Sequence, residues 1–210
     1  MRFHALLAGS ALTLLTAACM HAPAAAPAAA PSAAARARSA VRVRFVADSP
    51  RFEAAAREYD AIWAREGARI IGAMERATGI RFDDPPYADT SIGAVVIELP
   101  SNSGYRERPM RLRASYPEAT KRATLVHELG HRLQTGVAGR EDEHEVLFLW
   151  LYDVWVALWG KAFADEQVAV EKARGGVYPR AWDVALALDA TGRAERFRRL
   201  RAIKDSSTAR

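Results

Sequence analysis

Val41, Val43 and Phe45 alternate with Arg42 and Arg44, the two-residue period of a strand with one buried face. Ser49 and Pro50 come next as a capping residue and a first-turn proline, and they predict a long helix reaching about Thr78 with Gly79 as its stop. Asp83 to Thr90 reads as a proline-rich loop. Ile92 to Leu99 is mostly apolar and β-branched, a second strand ended by Pro100 and the polar turn around Asn102 and Gly104. Met110, Leu112 and Ala114 then alternate with Arg111, Arg113 and Ser115, a third strand with one wet face. Ser115 and Pro117 open another helix that stops near Gly136. A further helix is predicted from about Glu141 to Trp159. From Val146 onward its only charge is Asp153, so both faces are expected to be buried and the helix belongs at the centre of the domain. Gly160, the Gly175-Gly176 pair and Pro179 break up the remaining third of the domain. Short helices are predicted around Ala164 to Arg174 and Arg180 to Leu188, then a basic helix from about Ala194.

The amino-terminal segment has a different character. Arg2 precedes an apolar stretch from Ala5 to Ala18, and small residues lead into Cys19, the only cysteine. Residues 1–18 have the form of a bacterial export signal, too short to favour a spanning helix. Thr16-Ala17-Ala18-Cys19 resembles the lipobox of bacterial lipoproteins, which implies lipidation at Cys19, and Met20 resembles the outer-membrane sorting pattern. Ordinary signal cleavage, giving a soluble periplasmic or secreted protein, is the alternative. Residues 19–40 are dominated by Ala, Pro, Ser and Arg and cannot bury enough surface to order themselves, so they are expected to be a tether to the membrane. One domain over residues 41–210 is expected after it.

Half of the 210 residues are apolar and the formal charge is +5. Three of those positive charges, Arg2, Arg36 and Arg38, precede the domain, which leaves it near neutral. That balance argues against a nucleic-acid partner. With a single cysteine, no disulfide can form within the chain.

From residue 41 on there are three histidines, His127, His131 and His144, all within 18 residues. His127 and His131 sit four apart on a predicted helix and project from one face. Neutral imidazole is the commonest protein ligand for zinc, so a metal site is the leading candidate chemistry. Glu128 is next to the first histidine, within reach of a metal-activated water whose pKa falls toward about 7. A carboxylate there can take the proton and later pass it to a leaving amine.

His127-Glu128-Leu129-Gly130-His131 resembles the HEXXH motif of the zincin metallopeptidases. The resemblance covers about 20 residues around the motif and is set in uncharged surroundings, apart from Arg132. It implies that His127 and His131 are ligands of one Zn2+ and that Glu128 is the general base. It also implies an α+β fold of the minimal zincin type, with a small mixed β-sheet packed on a long helix, the motif helix and a central partner helix. The reaction implied is hydrolysis of peptide bonds in a peptide or protein substrate. A catalytic zinc needs a third protein ligand. Some relatives take it from a histidine at the start of the next helix and others from a glutamate there, so His144 is favoured and Glu145 is the alternative.

Four further residues attract chemical readings. Asp153 is a charge in an apolar helix and needs a partner, either a ligating histidine or an arginine of the first helix. Tyr152 and Tyr178 are candidate donors to a developing oxyanion, with packing as the commoner role. Glu171 can be read as a further ligand or a support for one, but a solvent-facing position is favoured. Trp150, Trp155 and Trp159 read as core. Met110 to Ser115 is the candidate edge for pairing with extended substrate, and the basic carboxy-terminal helix reads as a solvated face. Two other functions remain open: a non-catalytic, metal-stabilised lipoprotein binding module, and a zinc amidase acting on cell-wall peptides.

Overall fold

The computed structural model describes residues 39–104, 108–135, 137 and 142–208, with side chains as far as 203. The export signal, Cys19 and all but the last two residues of the expected tether lie outside the described residues. The described chain begins at Ser39, which is buried and donates a hydrogen bond from its hydroxyl to Asp83 (2.8 Å). All described residues belong to one compact unit.

Strand β1 (Arg42–Ala47) leads through a single 3-10 turn at Pro50–Phe52 into helix α1 (Glu53–Thr78). The helix buries Tyr59, Ile62, Ile70 and Met74 at helical spacing, the stripe that a helix lying on a core requires. Gly79 ends it with a φ of 65°, a left-handed stop that favours glycine. Strand β2 (Ser91–Ile97) pairs parallel with β1, and β3 (Met110–Arg113) pairs parallel with β2. The sheet order is β1-β2-β3, and the expected mixed sheet is therefore wholly parallel. The reason is topological: α1 carries the chain back across the sheet so that β2 starts at the same end as β1.

The connection from β2 to β3 also changes the reading of the third strand. It returns along the outer side of β3, where Asn102 exchanges both backbone hydrogen bonds with Arg111 (2.9 and 3.0 Å). The Ser101 hydroxyl accepts from the Arg113 amide, and the Arg113 carbonyl accepts from the Tyr59 hydroxyl. These groups, proposed from sequence as a ladder for substrate, are engaged within the fold.

Helix α2 (Glu118–Leu133) carries the HEXXH-like stretch and packs against β3 on one side and later helices on the other. Helix α3 (Glu143–Trp159) is central as expected, in contact with α1, α2, α4 (Lys161–Lys172), α5 (Tyr178–Leu186) and α6 (Ala190–Thr208). Trp150 and Trp155 are buried in the core, and half-buried Trp159 donates to Glu66 of α1 (2.7 Å). No helix among the described residues is long and apolar enough to cross a membrane.

Asp153 finds a partner that neither sequence reading named. Arg193 of α6 grips it with two hydrogen bonds, Nε to Oδ2 (2.9 Å) and Nη2 to Oδ1 (2.6 Å). The last helix, not the first, lies over that face of α3.

Candidate metal centre

Four residues apart on α2, the His127 and His131 rings meet with their Nε2 atoms 3.2 Å apart. Helix α3 brings His144 in from its first turn, with ring centres 5.4 Å from His127 and 4.8 Å from His131. One ligand atom from each of the three histidines lies within 4.8 Å of the others, and the group can hold a metal ion. Glu145 turns elsewhere, to Arg180 at 3.2 Å.

The start of α3 is held where His144 needs to be. Asp142 caps the helix by accepting from the His144 amide (2.8 Å). Gln134, buried just past the end of α2, donates to the Glu143 carbonyl (2.9 Å) and accepts from the Trp150 indole (3.2 Å). Between the two motif histidines, Gly130 lets α3 approach closely: a Cβ there would lie 2.5 Å from Leu147 and 2.8 Å from Trp150. Arg132 ties the same helix to the neighbouring loops through Asp89 and the carbonyls of Ser103 and Arg108. Its charge is thereby compensated inside the fold.

Each histidine has a carboxylate beside its Nδ1. Glu171 Oε1 is 2.8 Å from His127, Glu143 Oε2 is 3.5 Å from His131, and Asp142 Oδ1 is 3.3 Å from His144. Such contacts favour a proton on Nδ1 and leave Nε2 as the donor to a metal. Among the described residues, Nδ1 of His127 and His131 and Oε1 of Glu171 are buried without a well-aligned hydrogen bond, so these close contacts are what offsets their burial.

Glu171 is 2% exposed, which corrects the solvent-facing position favoured from sequence. It lies on the inner face of α4, and its Oε2 accepts from the Trp182 indole of α5 (2.9 Å). Burial pushes its carboxyl up, but the charge and hydrogen bond of His127, together with Arg174 and Trp182, leave it below the usual carboxylate range. Hydrogen bonding to His131 lowers Glu143 as well. His144 is lowered to about 4, first by burial and then by His127 and His131, so its ring is neutral and free to coordinate at pH 7.

Glu128 is buried on the same turn as His127, and burial raises its carboxyl to about 7. The positive charges of His131, Arg174 and Arg111 act in the opposite direction. Tyr178 stands at the rim, its ring centre 4.7 Å from His144 and 6.0 Å from His127. Tyr152 is directed elsewhere: its hydroxyl donates to Asp165 (2.7 Å) and its ring faces Arg193. Phe148, one turn beyond His144, lies 5.6 Å from that ring and stacks on Trp182 at 3.9 Å.

Sequence reasoning missed Glu143 and Asp142 as supports and Arg174 and Phe148 as neighbours. Glu143 and Asp142 immediately precede His144 in sequence and Phe148 follows it by one helical turn, whereas no sequence signal points to Arg174. The donor set fits zinc: three imidazoles from two rigid helices, each backed by a carboxylate, with Glu128 on the same helix as two of them. No family model, curated protein or solved structure matches this chain.

Proposed function

We propose that this chain is a zinc-dependent metallopeptidase that hydrolyses peptide bonds in the bacterial cell envelope. The observation carrying that reading is the convergence of His127, His131 and His144 beside the buried Glu128 carboxyl. A purely structural metal site has no use for a buried acid next to it. Bound at the three imidazoles, zinc supplies an electrophile that acidifies water and polarises a carbonyl.

The chain's own residues do the rest. Glu128, whose carboxyl titrates near neutrality, takes a proton from the attacking water and delivers it to the leaving amine. Glu171, Glu143 and Asp142 keep the three rings oriented and their Nε2 atoms deprotonated. Tyr178 stands close enough to the rings to donate its hydroxyl to the developing oxyanion. The export pattern of residues 1–18 and the lipobox-like run ending at Cys19 support the location.

Metal analysis and cleavage of casein test the reading. Wild-type protein is expected to carry one zinc and to cleave casein. Glu128→Gln should keep the metal and lose at least about 100-fold in rate. His144→Ala should lose the metal, whereas Glu145→Ala should retain it. Metal without cleavage in the wild type would support the non-catalytic binding module instead.

A further inference from the structure

Arg174 ends the segment after α4, in front of two glycines with φ of 73° and 61°, a left-handed turn that suits glycine. Its guanidinium carbon lies 5.5 Å from the Tyr116 ring centre and 5.7 Å from that of Tyr178. Two aromatic rings therefore hold one cation, an arrangement that fixes the plane of the guanidinium while leaving its N–H edge available. The Tyr178 ring is the one that stands beside His144.

Four other buried or partly buried arginines spend their donors inside the fold. Arg193 grips Asp153 and the Leu188 carbonyl, Arg132 meets Asp89 and two carbonyls, Arg122 meets Glu66 and Glu118, and Arg113 meets Glu98. Arg174 differs from all four. Its carboxylate neighbour, Glu171 Oε1, is 3.9 Å away and is already in contact with His127. It lies against the Tyr178 ring, and the side chain is 23% exposed. A guanidinium held between two rings, reachable from solvent and, among the described residues, short of an acceptor is built for a planar anion. Two acidic residues that feel its charge, Glu171 and Glu128, both belong to the candidate metal centre.

Resting on the peptidase reading, we infer that Arg174 binds a carboxylate of the substrate beside the metal centre, so that the preferred substrates are peptides carrying a free carboxylate next to the scissile bond. That carboxylate comes either from the chain terminus or from an acidic side chain, and the two sources are separable.

The test is binding, measured by calorimetry on the full-length Glu128→Gln protein, with zinc and again after chelation. Three probes serve: acetyl-Ala-Ala-Ala as the free acid, the same peptide as its amide, and acetyl-Ala-Glu-Ala amide. One of the two carboxylate-bearing peptides should bind about 10- to 100-fold more tightly than the plain amide, and which one does identifies the source. The preference should vanish in Arg174→Gln and return in part in Arg174→Lys, which keeps the charge without the fork. It should also survive chelation, because Arg174 sets it. Equal affinity for all three probes, no binding of any, or a preference retained in Arg174→Gln would overturn the inference. Melting of each variant shows that it is folded. Zinc content and casein cleavage report separately on the peptidase reading, so its failure is distinguishable.

Discussion

Glu171 and Glu143 support two rings of the same centre from very different surroundings. Glu171 is buried between α4 and α5, while the Glu143 side chain is 72% exposed at the start of α3. A carboxylate behind a ligating imidazole acts through ring orientation and basicity, and its loss typically lowers metal affinity 10- to 100-fold. Glu171→Gln is therefore expected near the upper end of that range and Glu143→Gln near or below the lower end, as read by competition with a zinc chelator. Equal effects would mean that burial does not set their contribution. From sequence, Glu171 is readable as a ligand or a support for one, but nothing local separates that reading from a solvent-facing position. It lies 40 residues beyond His131 in a charged stretch, and only the packing of α4 against α2 turns it inward.

At the scale of elements, the candidate metal centre depends on how closely α2 and α3 approach. Gly130 was legible only as an unassigned position of the motif, but its missing Cβ makes room for Leu147 and Trp150. Gly130→Val is expected to destabilise the fold by about 1–3 kcal/mol through overpacking, and to weaken zinc binding as His144 is pushed away. Denaturant melts and metal titration of the same variant check both. The elements themselves were largely readable. Capping residues, apolar spacing and glycine or proline stops mark out α1, α2 and α3. β3 was also readable as a strand, but the cover that Asn102 places on its edge was not. That cover comes from the path of a loop, and alternation of side chains carries no information about the path.

For the molecule as a whole, two polar contacts join segments far apart in sequence, Asp153 with Arg193 and Ser39 with Asp83. Arg193 binds Asp153 across 40 residues and clamps α6 to α3. Asp153→Ala should leave a nearly buried arginine without its carboxylate, bonded only to the Leu188 carbonyl, and cost about 2 kcal/mol, discounted for the partial exposure of the carboxylate. Zinc affinity should stay unchanged. A loss of affinity would show that Asp153 acts on the histidines after all. At the other end, Arg81 first and Ser39 second hold the Asp83 carboxyl down at about 2, below its ordinary 3.8. A depressed carboxyl contributes stability above its unfolded value and loses it as pH falls through the folded value. The melting temperatures of wild type and Asp83→Asn should therefore differ at pH 6 and converge as pH approaches 2.

The sequence by itself determined the order of helices and strands, the apolar character of α3, and the pair His127 and His131 with Glu128 beside them. Local periodicity is enough for these, because residues four apart on a helix share a face wherever that helix packs. The tertiary structure alone decided that the sheet is parallel and that His144 rather than Glu145 joins the pair. It also decided that each ring has a carboxylate behind it and that Arg174 stands at the rim. All of these depend on contacts between elements distant along the chain, and such contacts are fixed by how α2, α3, α4 and α5 pack around one core.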